Sequence, residues 1–226
     1  MNWWFGEFWQ INPVFAGSWA LWVIVSITLH ELAHGWTAIR CGDDVPLRSG
    51  HMTWNPFVHI PFPWAWIMFG AFGITWGLMP VQPANFRGRY DDAKVAFAGP
   101  AMNLLLCVVC VVLDVLWLTY MTSTGDPYHK NVHTILWCGA MINLMLFVFN
   151  LIPIPPLDGS RILSDFVPAF RRVWEGPQGG VIGLVAFLAL FWFGGKYVFG
   201  AAITAGSLAV QAGLVVTGGE WRNPIR

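Results

Sequence analysis

The chain has 226 residues, 56% of them hydrophobic and 11% charged, with zero formal net charge. Mean hydropathy is +0.57. A soluble domain carries about 25% charged residues, so the composition excludes an ordinary water-soluble enzyme and predicts an integral membrane protein. With no net basic field, nucleic acid is excluded as an expected partner.

The start, Met1 to Gln10, is aromatic, carries Glu7 and lacks a basic n-region, so the first helix is expected to be a retained anchor. A first apolar segment covers about 14–39. The next, 62–79, follows Pro61 and is broken by Pro63, Gly70, Gly73 and Gly77. A membrane-dipping hairpin suits it better than a clean span, because broken backbone is tolerated at that depth where protein covers it. Further apolar segments cover about 95–121 and 132–152, and two shorter ones, about 181–193 and 198–216, follow. The expected fold is an all-α polytopic membrane protein of about five to six transmembrane segments. An irregular membrane-dipping hairpin separates its first and second core helices. A single domain, 1–226, is expected, with a core at about 15–165 and a closing transmembrane pair at about 181–217.

Basic residues set the expected orientation. Arg40, Arg48, Arg87, Arg89, Lys94, Arg161, Arg171, Arg172, Arg222 and Arg226 fall on one side if the N-terminus is outside and the hairpin returns to the side it left. Lys130 and Lys196 fall on the other. The richer side is then cytoplasmic, and the ends of the 14–39 and 132–152 segments share it.

At the end of the first segment stands His30-Glu31-Leu32-Ala33-His34. A helix turns once per 3.6 residues, so both imidazoles project from one face. They can share a Zn²⁺, with Glu31 beside them as general base toward an attacking water. The alternative is a pair of histidines satisfied by backbone or water, but ionisable residues inside membranes are costly and usually functional. Zinc needs a third protein ligand and an open position. Asp158 follows Pro153, Pro155 and Pro156 and precedes Gly159. Such a rigid turn presenting one carboxylate suits a metal ligand, although without the histidines it reads as a solvated Asp-Gly turn. Asp114 lies alone in an apolar segment, either a buried functional acid or a neutral helix residue. Cys107 and Cys110 form a Cys-x-x-Cys without a second pair and read as small buried thiols.

Three motifs in order make the chain resemble the site-2 protease family of intramembrane zinc metalloproteases, in its compact form without PDZ or CBS domains. They are His30 to His34, then Gly99-Pro100-Ala101-Met102-Asn103, then Asn150 through Pro153 to Asp158-Gly159. Asn55-Pro56 with His59, and Pro83-Ala84-Asn85-Phe86-Arg87, add similar context. Gln82 departs from the Asn often found there, and the usual Lys-Pro-Val-Pro run is shortened to Met79-Pro80-Val81.

The resemblance implies one zinc per chain held by His30, His34 and Asp158, with Glu31 as general base. It implies that Asn150 holds substrate or stabilises the tetrahedral intermediate, and that Asn103 supports the site. The expected reaction is hydrolysis of peptide bonds within or near transmembrane segments of membrane-protein substrates, in regulated intramembrane proteolysis. Asn55, His59, Gln82 and Asn85 are placed to contact an extended substrate or to serve as local hydrogen-bonding residues. The expected setting is a multi-pass protein of a bacterial cell membrane, its active site toward the cytoplasm. A catalytically silent metal-binding scaffold or chaperone would lack Glu31 or a ligand. A transporter would spread ionisable residues through several spans, and a prenyl-protein endoprotease would recruit a soluble-facing glutamate absent here.

Overall fold

Asn12 starts the first long helix. Its side chain accepts the Val14 and Phe15 amides at 2.9 and 3.3 Å, and Pro13 occupies the first turn, where no amide is needed. The computed structural model describes residues 4–121, 127–174, 176–221 and 223–224. Among these it is all-helical. A short helix α1 (Trp4–Ile11) leads into α2 (Pro13–Arg40), and single turns α3 (Val45–Arg48) and α4 (Pro56–His59) follow. Then come α5 (Trp64–Phe72), the long α6 (Asp91–Tyr120) and α7 (Pro127–Asn150), and the short α8 (Asp158–Phe166) and α9 (Pro168–Trp174). The last elements are α10 (Gly179–Ala189) and α11 (Gly195–Thr217).

Among the described residues, four stretches are long and apolar enough to cross a membrane: α2, α6, α7 and the 39 residues Gly179–Thr217. Phe15, Trp19, Val23 and Ile27 recur every four residues, forming one stripe of α2. That stripe is buried with Trp137, Cys138, Met141 and Ile142 of α7 and with Ile60 and Ala65. Gly139 lets α7 approach closely, since a Cβ there would strike the Trp22 indole. Cys107 and Cys110 are buried free thiols packed on Ala140 at the α6–α7 contact, and Cys138 is a third, buried against the α2 stripe. Leu105, Val109 and Val112 of α6 and Val181, Leu184 and Val185 of α10 stay exposed, as side chains facing lipid must.

Residues 41–90 dip into the bundle and come back. Leaving α2 at Cys41, the chain descends through α4 and α5 until the Trp19 indole donates to Gly73 O at 2.7 Å. Gly73 has φ +73°, a left-handed turn that favours glycine, and a Cβ there would also strike Trp4. The return limb, 74–82, is extended. The Leu78 amide bonds His59 O at 2.8 Å and the Arg87 amide bonds Cys41 O at 3.1 Å, so the segment ends where it began.

The closing region differs from the expected pair. Residues 190–194 form a π-turn that joins α10 to α11 without a break; the Gly194-Gly195-Lys196 step between the two apolar runs holds no proline and stays helical. Beyond α11, Pro224 O accepts the Asn12 side chain at 3.5 Å and the Thr134 hydroxyl at 2.9 Å. Residue 224 therefore lies at the end of the bundle where α2 and α7 begin, opposite the end assigned to Arg222 and Arg226. Those two arginines lie outside the described residues.

In a protein whose native cysteines are replaced, an impermeant thiol reagent should label Ser49→Cys and Arg89→Cys from the same side of sealed vesicles, and Glu220→Cys from the other. Labelling of the first two from opposite sides contradicts the dipping segment.

Candidate metal centre

His30 and His34 face the start of α6. The His30 Nδ1–H donates to Asn103 Oδ1 at 2.6 Å, and the His34 Nδ1–H donates to the Val95 carbonyl at 2.6 Å. Both acceptors are oxygens that cannot donate, so each ring carries its proton on Nδ1 and turns Nε2 inward. The two Nε2 atoms lie 2.9 Å apart.

Asp158, the first residue of α8, brings Oδ2 to 3.1 Å from His30 Nε2 and 3.4 Å from His34 Nε2. All three residues are buried, and their ligand atoms lie within 4.8 Å of one another. Electron-rich atoms this close need positive charge between them, from a proton or a cation. Burial alone would raise the Asp158 carboxyl; without a cation, protonation of the His34 and His30 Nε2 atoms supplies the charge and hydrogen bonds that hold it well below the usual carboxylate range. Gly159 is required behind it, since a Cβ would collide with the Leu151 carbonyl.

Two glycines shape the space. A Cβ on Gly99 would run into both Nε2 atoms, so its hydrogen leaves a cradle in front of them. A Cβ on Gly77, in the return limb, would overlap the Glu31 carboxyl group. Glu31 is buried against this bare backbone. Among the described residues no group donates a hydrogen bond to its carboxylate, which is left available to a ligand or water.

The other predicted residues are placed differently. Asn103, fully buried, relays through Asn143: its amide donates to Asn143 Oδ1 at 3.0 Å, and Asn143 donates to Gly139 O at 2.9 Å. Asn150 donates to Leu146 O of its own helix at 3.0 Å and, among the described residues, makes no hydrogen bond to the cluster. Asn55 caps α4 through the Phe57 amide at 3.0 Å. His59 is buried and donates from Nε2 to Thr53 O at 2.7 Å, while its Nδ1 has no partner among the described residues. Asn85 donates to Asp43 at 2.7 Å. Asp114 bonds His133 Nδ1 at 2.7 Å, about 16 Å along α6 from Asn103, so it forms a separate buried pair. Asn143 went unnoticed in the sequence; its signal was a polar residue four positions after Gly139 in an apolar run.

The family model described as Peptidase family M50 matches residues 18–194. The chain belongs to peptidase family M50. It is 37% identical over 188 residues to the proposed zinc metalloprotease YwhC of Bacillus subtilis, covering 81% of this chain and 84% of that protein. It is 32% identical over 180 residues to the proposed zinc metalloprotease Rip2 of Mycobacterium tuberculosis, covering 74% of this chain and 64% of Rip2. Rip3 of the same organism, also named a proposed zinc metalloprotease, is 29% identical over 189 residues, with 40% of its length covered. The chain thus spans under two thirds of Rip2 and under half of Rip3. No solved structure matches.

Membership of M50 implies zinc, and the residues fit it. Two imidazole nitrogens and one carboxylate oxygen form a three-ligand set with room for a fourth partner. Both rings are held in the required tautomer by acceptors behind them, and Gly99 keeps the space clear.

Asn103→Leu removes the acceptor behind His30 and should lower zinc affinity about 10–100-fold in a chelator competition. Asn150→Leu, whose amide serves its own helix, should stay within about twofold of wild type on the same scale. An Asn103→Leu protein that holds zinc as tightly as wild type contradicts the relay.

Proposed function

We propose that this protein is an intramembrane zinc metalloprotease that hydrolyses peptide bonds within or near transmembrane segments of membrane-protein substrates. The observation that carries the reading is the convergence of His30, His34 and Asp158, with Glu31 buried beside them, inside a bundle of membrane-length helices. Membership of M50 and the proposed zinc metalloprotease activity of its relatives support it.

Zinc bound by the three side chains would supply Lewis acidity, polarising a scissile carbonyl and acidifying a water toward a pKa of about 7. Glu31 is the base that takes the water's proton and returns it to the leaving amine. Its unshared carboxylate suits that work, because no structural hydrogen bond must break first. Asn103, through His30, holds the imidazole orientation. Asn150 at the end of α7 is proposed to hold substrate or the developing oxyanion after a rotamer change that frees its amide from Leu146.

A transmembrane helix hides its peptide bonds, so the substrate must unwind before attack. The return limb offers an edge for the unwound segment. Between residues 74 and 81 only the Leu78 amide has a backbone partner among the described residues, and the limb passes directly over Glu31. Main-chain pairing of an extended substrate along such an edge is a general recognition mode. The active site is proposed to open to the cytoplasm, on the arginine-rich face of a bacterial cell membrane, and the reaction to serve regulated intramembrane proteolysis.

The test is metal analysis and cleavage of a detergent-solubilised single-span substrate. Glu31→Gln should keep about one zinc per chain and lose cleavage by about 10²–10⁴-fold. Asp158→Ala should lose the metal. Normal cleavage by Glu31→Gln, or full zinc affinity in Asp158→Ala, overturns the reading.

A further inference from the structure

Asp43 is fully buried although it sits just beyond the C-terminus of α2. That is an unfavourable place for an acid, since the partial negative charge of the helix end repels it. Its carboxylate has donors from the opposite limb of the dipping segment instead. Oδ2 accepts the Gln82 amide at 2.7 Å, Oδ1 accepts the Asn85 side chain at 2.7 Å, and Oδ1 also accepts the Val45 amide at 3.2 Å. The Arg87 side chain lies over Gly42, whose φ of +105° leaves its α-carbon bare to that contact. Burial pushes the Asp43 carboxyl up, but these N–H donors and the Arg48 charge outweigh it and hold it below the usual range.

Gln82 is five residues beyond Gly77, the residue that backs Glu31. An extended limb advances about 3.3 Å per residue, and a one-residue slip turns every side chain to the other face. A slip at Gln82 would therefore move Gly77 off Glu31 and present the wrong edge. The remaining ties of the limb are sparse: the Leu78 amide to His59 O at 2.8 Å and the Thr75 hydroxyl to Ala65 O at 2.8 Å.

We infer that Asp43 is a positioning residue that locks the return limb in register against the catalytic helix and so sets the seat of an extended polypeptide over Glu31. The inference rests on the protease reading for what occupies that seat. Asp43 touches no reacting atom and acts through Gln82 and Asn85. Substitution by Ala removes the acceptors of both Gln82 and Asn85. Asp43→Asn keeps an oxygen for the Gln82 amide and, once the exposed Asn85 amide turns over, donates to the Asn85 oxygen, giving up only the long Val45 bond.

The experiment uses the zinc-loaded full chain with Glu31→Gln as background and fluorescein-labelled casein as an unfolded polypeptide probe, read by anisotropy. Asp43→Ala should weaken binding about tenfold at unchanged zinc content, and Asp43→Asn should stay within about threefold of the parent. With Glu31 intact, Asp43→Ala should raise KM about tenfold and leave kcat within about twofold. Unchanged binding in Asp43→Ala, an equal loss in Asp43→Asn, loss of zinc, a fall confined to kcat, or no casein binding by any of these proteins each overturns the inference. Casein bound but not cleaved by the Glu31-intact protein counts instead against the protease reading.

Discussion

Inside a bilayer no water is at hand to satisfy a stray N–H, so each imidazole proton must find a protein oxygen. His34 gives its Nδ1–H to the Val95 carbonyl and His30 gives its own to Asn103, which is held in turn by Asn143 and the Gly139 carbonyl. With those protons committed, the remaining ring nitrogens carry lone pairs and share one small space with Asp158. The demand for internal hydrogen bonding thus does two things at once. It ties α2 to α6 and α7, and it prepares a three-point site for a cation. Helices packed in lipid gain little from hydrophobic burial against one another, so polar links of this kind and close contacts at glycines take a larger share of the cohesion.

The dipping segment extends the same economy. Its deep end is satisfied by two indoles, Trp4 on Gly70 O and Trp19 on Gly73 O, which supply donors where the last carbonyls of α5 would otherwise face hydrocarbon. Its return limb then runs extended past Glu31 with most of its backbone unpaired among the described residues. A limb of this kind keeps its place through a few anchors, and the heaviest of them gathers at the end of α2. The metal ligands, the base and the limb are therefore all referred to one rigid helix.

Much of this was legible from the residues. The His30–His34 spacing on an apolar helix, the lone carboxylate after a run of prolines, and the broken 62–79 stretch pointed to a shared site and a dipping segment, and the structure places them so. Periodicity and spacing report what lies along one helix. Contacts between helices are another matter. Asn143 and Asp43 were passed over because nothing local distinguishes a buried, bonded polar residue from a solvated one. Asn55 and Asn85, read as substrate contacts or as local hydrogen-bonding residues, here bond a helix cap and Asp43. The closing pair is one continuous stretch because a π-turn at 190–194 carries the helix through the step between the two apolar runs without ending it.

The central claim is that two imidazoles and one carboxylate surround a single ion at membrane depth. X-ray absorption at the zinc edge of the purified, metal-loaded protein tests it most directly. Two imidazole ligands at about 2.0–2.1 Å are expected, with oxygen completing a four-coordinate shell, and Asp158→Ala should lose the zinc signal. A shell containing sulfur, or one with no imidazole, would contradict it.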